Sequence, residues 1–315
     1  MGTPEFAVAS LEALIAAGHN VVGVVTATDK LGGRGGKQLL QSAVKKAALA
    51  HGLPILQPRT LKGKRFLAAL RAWEADLQIV VAFRMLPKLV WDMPPLGTIN
   101  IHGSLLPAYR GAAPIHWAVV NGETETGVTA FFLQHAIDTG DLLLQRSTPI
   151  GPDETTGEVY ERLMKLGAET LLEAIHLISQ GKTTGTPQDE DKVSHAPKIF
   201  HDDCKIDWSA SAKTCHDFIR GMSPWPAAWT TLDGSELKVL RSAPVKEMDD
   251  AGQPAGTLIA LPADKTCFGE SPSLAVQTGD GLLELLSVKP AGKRAMPGTD
   301  FKNGLRAELP LQLGK

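Results

Sequence analysis

Strand-length apolar runs alternate with helix-length apolar stripes as far as Ile178, and past a polar break from Gly181 to about Pro197 only short strands recur. A chain ordered this way does not spread one fold over its 315 residues. The first part implies an α/β layer structure and the second an antiparallel one. Buried strands are predicted at 21–26, 77–82 and 99–102, with helices over about 42–51, 61–73 and 113–121. Thr3 and Pro4 precede Ala7, Val8, Leu11, Leu14 and Ile15, which predicts an N-cap, a first-turn proline and a helical stripe that Gly18 ends. Runs 128–133 and 142–147 flank a polar turn and are expected to pair as a hairpin. Thr155 and Glu158 have capping-box spacing for a long helix carrying Val159, Leu163, Leu171 and Ile178. The glycine-rich stretch 27–41 is a loop by composition.

The fold class expected is therefore α/β: a Rossmann-like, mainly parallel sheet with helices on both faces, followed by a small C-terminal β-barrel of the oligonucleotide-binding (OB-like) kind. Lys, Thr, Gly, Gln, Asp and Pro fill the break, so the domain limits are set at 1–181 and 201–315 with a linker at 182–200. Beyond it, strands are predicted at 237–241, 257–261, 274–278 and 282–288, the last two joined by Gly279-Asp280-Gly281. Lys plus Arg number 32 against 34 Asp plus Glu, so any nucleic-acid contact must be local. The N-terminus lacks a basic flank with an apolar run, and no stretch reaches the roughly 18 apolar residues of a membrane span. A soluble, cytoplasmic, monomeric protein with no membrane partner is expected. Cys204, Cys215 and Cys267 lack any C-x-x-C spacing and are expected to be reduced packing residues.

The first half invites a nucleotide-binding reading, which its residues reject. Leu31 stands where a phosphate loop needs its first glycine, and Gln38 follows Lys37 where Ser or Thr is required. Gln38 also stands where a dinucleotide fingerprint needs a third glycine. Chemistry-bearing residues concentrate instead between Asn100 and Asp141. Asn100 and His102 lie two apart on a predicted strand, so they share a face, and an amide donor beside an imidazole suits a developing oxyanion. A carboxylate in the polar turn His135-Ala136-Ile137-Asp138-Thr139-Gly140-Asp141 between two strands can fold back toward His102 and hold or charge it. Singly, each would be read as a local cap or a solvated side chain; the combination points to catalysis. A metal site of His102, His135, Asp138 and Asp141 is disfavoured, because none has paired-ligand spacing on a helix. His116 and His135 are assigned to packing or surface.

The string Asn100-x-His102-x-Ser104-Leu105-Leu106-Pro107-x-x-Arg110-Gly111-Ala112-Ala113-Pro114, with Gly127-Val128-Thr129 and Asp138-Thr139-Gly140-Asp141, closely resembles the formyltetrahydrofolate-dependent transferases. Gly2-Thr3-Pro4-Glu5-Phe6-Ala7, Gly33-Arg34-Gly35 and Pro290-Ala291-Gly292-Lys293-Arg294-Ala295-Met296 are similar to members that act on methionyl initiator tRNA. The resemblance implies transfer of a formyl group from 10-formyltetrahydrofolate, as a donor cosubstrate and without metal, to the amino group of that tRNA's methionine, in support of translation initiation. It implies Asn100, His102 and Asp138 as the catalytic centre. The donor would lie against Ser104, Leu105, Leu106 and Pro107 and the loop of Phe83, Arg84, Met85 and Leu86. Arg34 and Lys37 in the glycine-rich loop, and Lys289, Lys293 and Arg294 near the C-terminus, would contact tRNA phosphates. Trp225 and Trp229 are expected to pack.

Two departures from the family pattern stand out. Leu31 and Ala43 replace prolines, which leaves the loop less restrained. The family opens with a short apolar strand before its Gly-Thr-Pro turn, whereas Met1 stands at the end of that strand's place, so the expectation is a start further upstream. Rival readings are an amino-sugar nucleotide formyltransferase, a glycinamide ribonucleotide formyltransferase, a formyltetrahydrofolate hydrolase, and a silent RNA-binding protein with a decayed transferase domain.

Overall fold

The computed structural model describes residues 1–32, 35–182, 185–245, 252–267 and 271–314. They form two units, one of Met1–Pro114, Glu125–Thr148 and Tyr160–Ala196, the other of Ile115–Thr124, Pro149–Val159 and Pro197–Lys315.

In the first unit, Val24–Val25 pairs in parallel with Ile55–Leu56, and Gln78–Val81 pairs in parallel with Thr98–His102. Met1 and Gly2 lie between these pairs: the Gly2 N–H donates to Val25 O at 3.1 Å, and the Val81 N–H donates to Met1 O at 2.9 Å. Beyond Thr98–His102 the antiparallel strand Glu125–Phe132 follows, and next to it Leu142–Pro149, so the expected hairpin forms. The result is a Rossmann-like region with helices on both faces. Ile101 faces Phe6 and Gly167, from the helices Glu5–Ala16 and Thr156–Ser179. Val80, whose side chain alternates to the other face, packs with Phe66, Leu70 and Val90 from the helices Lys64–Arg71 and Lys88–Trp91. A cavity of about 410 Å³ lined by Leu11, Leu14, Val24, Trp73, Ile79 and Ile178 lies beside Met1 and Gly2, and none of Asn100, His102 and Asp138 lines it.

Local signals placed most of the predicted elements to within a residue or two. Pro4, not Thr3, caps the first helix, because its backbone is still extended (ψ 178°). Gly18 ends that helix at φ +76°. The capping box forms: the Thr155 N–H and hydroxyl donate to Glu158 Oε2 at 2.8 and 2.7 Å, and the Glu158 N–H points back at the Thr155 hydroxyl. Replacing Thr155 by alanine is expected to cost about 1 kcal/mol, read as an earlier midpoint in urea unfolding. Stretch 27–41 holds more order than composition implied, since Lys30–Gly32 and Gln38–Leu40 pair as an antiparallel hairpin.

The described part of 182–200 within this unit is bonded along two loops. Thr186 and Leu142 exchange backbone hydrogen bonds at 2.8 and 2.9 Å, and His195–Ala196 pairs in parallel with Arg110–Gly111.

In the second unit a curled antiparallel sheet, a half-barrel, runs in the order Ala228–Leu232, Ser235–Pro244, Leu282–Pro290, Ser273–Gln277, Thr257–Leu261, Leu311–Gln312, with Met296–Pro297 beside Leu282–Pro290. Ile219 and Met222 of the helix Ala212–Met222 fill its core with Leu237, Val239, Leu283 and Val288. Cys204 and Cys215 are buried there, and burial pushes the Cys215 thiol up to about 12, so it packs as a neutral group. Trp229 packs against this core, but Trp225 is 75% exposed, contrary to the packing expectation.

Candidate active site

Asn100 and His102 project from one face of the strand Thr98–His102, as their two-residue spacing requires. His102 is buried, and its Nε2 lies 2.9 Å from Tyr109 O. A carbonyl only accepts, so Nε2 carries the hydrogen. That leaves Nδ1, which faces Asp138 Oδ2 at 3.8 Å. Asp138 is also buried and reaches this place on a loop that leaves the sheet where the Leu133 N–H bonds Thr98 O and then folds back across the Asn100 face. The same carboxylate oxygen accepts from the Gly111 N–H at 2.9 Å. Asn100 Oδ1 is buried with no hydrogen-bond partner among the described residues. Leaving such a group unpaired costs about 1–3 kcal/mol, a deficit more at home in a site than in a core.

Backbone strain collects on the same loops. Ala82, Tyr109 and Asp138 hold φ of +47°, +62° and +56°, in the left-handed region that non-glycine residues seldom occupy. Ala82 follows the strand Gln78–Val81, Tyr109 follows the Asn100 strand, and Asp138 is the carboxylate itself.

The turn 104–107 is fixed from within. The fully buried Ser104 hydroxyl donates to Ala108 O at 2.7 Å. Thr129 donates to Ser104 O at 2.7 Å and accepts from the Leu106 N–H at 3.1 Å, and Gln145 Nε2 donates to Leu106 O at 2.8 Å. Leu106 is buried, and Leu105 and Pro107 are half-buried. In the neighbouring loop Leu86 is buried and Phe83 half-buried against the Val80 core. Arg84 stacks over Phe83 and donates to Pro58 O and Arg59 O, while Met85 is 69% exposed. His135 meets Trp91 edge-on and His116 Nε2 lies 3.1 Å from Trp225 O, both outside the centre. Burial lowers the His116 pKa. Among the described residues no three His, Cys, Asp or Glu side chains gather to hold a metal.

A sequence profile described as Formyl transferase matches residues 1–175, and one described as Formyl transferase, C-terminal domain matches 198–306. The chain belongs to the formyl transferase family. This formyl transferase is 50% identical over 314 residues to the methionyl-tRNA formyltransferase of Parabacteroides distasonis, covering 97% of this chain and 94% of the relative. It is 47% identical over 308 residues to the one from Bacteroides fragilis, covering 96% and 93%. Among solved structures it shares its fold with an N-formyltransferase from Helicobacter canadensis in complex with folinic acid and dTDP-3-aminofucose (TM-score 0.62, 17% identity, 90% of this chain and 96% of that one). It likewise resembles HypX from Aquifex aeolicus in complex with tetrahydrofolic acid (TM-score 0.59, 20% identity, 84% and 47%).

In this formyl transferase Lys289, Lys293 and Arg294 are exposed along the strand Leu282–Pro290 and its following turn, and Lys289 sits opposite Lys238 across the sheet. Lys37 is exposed at the turn end of the paired strands Lys30–Gly32 and Gln38–Leu40, whereas Gly33 and Arg34 lie outside the described residues. Thr129, Gln145 and Gln188 were missed by sequence reasoning. The position of Thr129 in Gly127-Val128-Thr129 was the one available signal, since a Cβ at Gly127 would meet Leu105 Cδ2 at 2.5 Å.

Proposed function

We propose that this chain transfers the formyl group of 10-formyltetrahydrofolate to the free amino group of methionyl initiator tRNA. The observation that carries the reading is the pairing of a buried His102 Nδ1 with the Asp138 carboxylate, on the strand face where Asn100 holds an unpartnered amide oxygen. The 50% identity to a methionyl-tRNA formyltransferase over nearly the whole chain supports the tRNA acceptor over an amino-sugar nucleotide.

The chemistry follows from the proton positions. The methionyl nitrogen attacks the formyl carbon, a C–N bond forms and the carbonyl pair moves to oxygen. The Asn100 amide donates to that oxyanion. His102 donates its Nε2–H to Tyr109 O, so its role shifts from oxyanion donor to proton carrier: Nδ1 takes the proton that the attacking nitrogen loses. Asp138 Oδ2, 3.8 Å from Nδ1, faces the imidazolium so formed. As the bond from carbon to N10 breaks, N10 takes the proton back, and tetrahydrofolate leaves. Ser104, Leu105, Leu106 and Pro107, with Phe83, Arg84, Met85 and Leu86, form the donor's walls in this proposal. The Ser104 hydroxyl shapes its turn, and the exposed Met85 offers apolar surface to a pterin. Residues 1–181 would carry catalysis, and 201–315, with Lys289, Lys293 and Arg294, would hold tRNA together with Arg34 and Lys37. No helix among the described residues is long and apolar enough to cross a membrane. A monomer working in the cytoplasm completes the proposal.

Offering 10-formyltetrahydrofolate labelled in the formyl group together with charged initiator tRNA, an amino-sugar nucleotide, glycinamide ribonucleotide and water tests it. Label is expected on the tRNA, with a rate that falls as salt rises. Label on the sugar nucleotide, or released as formate alone, contradicts the reading.

A further inference from the structure

We infer that Gln188 is a positioning residue for the proposed transfer, clamping the Asp138 loop to the loop that carries Arg110 and Gly111; this rests on the catalytic reading of Asp138. Its Nε2 donates to Asp138 O at 2.8 Å and to Gly140 O at 2.9 Å. Its Oε1 accepts from Arg110 Nε at 3.0 Å and Nη2 at 2.7 Å. One amide thus uses both ends to tie together two loops from opposite sides of His102. Arg110 is itself fixed: its side chain is buried, and its guanidinium also donates to Glu190 at 2.8 and 3.2 Å. That contact holds the exposed Glu190 carboxyl below its usual range.

The backbone on either side is zipped to the same loops. Upstream, Thr186 pairs with Leu142. Downstream, the Ser194 hydroxyl accepts from the Tyr109 N–H at 2.9 Å, Ser194 O accepts from the Arg110 N–H at 2.9 Å, and Ala196 O accepts from the Ala112 N–H at 2.8 Å. Residues 185–196 are a strap across the site, and Gln188 is where its side chain reaches the strained φ of Asp138. A residue held at φ +56° stays there only while its surroundings over-determine it. The carbonyl of that residue is what Gln188 grips. Supporting bonds of this kind fix a reacting group to within a fraction of an ångström.

Gln188→Glu separates the two ends of the amide, since a carboxylate still accepts from Arg110 but cannot donate to Asp138 O and Gly140 O. The variant is expected to fold and to lose about ten- to hundredfold in kcat, because a small displacement of a reacting group costs that much. KM for the folate and for the tRNA should stay within about threefold, as Gln188 acts on the chemical step. In an Asp138→Ala background the same change should cost less than about twofold, since a residue acting only through Asp138 has nothing left to act on. Hydrogen exchange at Gly111, whose N–H is held by Asp138, should quicken in Gln188→Glu. An undiminished kcat, or an undiminished loss in the Asp138→Ala background, overturns the proposal. A parent chain that transfers no formyl group defeats the catalytic reading and the positioning role with it, and Gly111 exchange then shows separately whether Gln188 holds the loop.

Discussion

Asn100→Ala and His102→Ala are each expected to lower formyl transfer about a hundred- to a thousandfold while the chain still folds. The two are expected to differ in stability, and that difference is informative. Asn100 Oδ1 makes no hydrogen bond among the described residues, so removing it relieves a buried acceptor, and thermal stability should hold or rise. His102 gives up its bond to Tyr109 O, so His102→Ala should lose about 1 kcal/mol. Loss of turnover without loss of stability marks a group kept for chemistry. Steady-state transfer rates beside thermal melts of both variants check this, and near-parental turnover in either contradicts the assignment.

Gly140→Ala is expected to abolish measurable transfer although the change lies two residues from any reacting group. An added Cβ would stand 1.6 Å from Phe132 O and 3.1 Å from the Phe131 ring, and a backbone oxygen cannot swing aside as a side chain can. The loop must move by more than an ångström, taking Asp138 away from His102 and Gly140 O away from Gln188. A misplacement of about 1 Å can cost a hundredfold in rate, and here the carboxylate, its clamp and its strained backbone shift together. The Leu142–Pro149 strand lies outside the clash, and of the core only the Phe131 ring is pressed, so the protein should stay folded with a lower melting temperature. Transfer within tenfold of the parent would show that the loop absorbs the clash without moving Asp138.

That Asn100 and His102 share a face could be read from sequence because the logic is local: a two-residue spacing on a strand sets them on one side in any sheet. That a carboxylate folds back needed only a polar turn between two apolar strands, whereas Asp138 over Asp141 came from the family resemblance. The strap at 185–196 could not be read, since its work is done by backbone pairing and by the polar side chains of Gln188 and Ser194, which leave no apolar period. Composition there says linker, and the hydrogen bonds say otherwise only once Arg110 and Leu142 are in place. The Lys30–Gly32 and Gln38–Leu40 hairpin escaped for a related reason. Its strands are three residues long and solvent-facing, with Leu31 72% exposed, so no burial pattern marks them. The helix Ala212–Met222 carries Cys215, Ile219 and Met222 inward at helical spacing, but the buried Asp217 and Arg220, which neutralise each other at 2.7 Å, interrupt that stripe and masked it in the sequence.

Soaking the protein with a folate analogue that carries its formyl group on a carbon in place of N10, so that it cannot be transferred, and locating the formyl oxygen decides whether Asn100 and His102 meet the reacting carbonyl. That oxygen is expected about 3 Å from the Asn100 side-chain nitrogen, with His102 Nδ1 turned toward the carbon's open side. A folate bound with its formyl group out of reach of Asn100 and His102 would contradict the account.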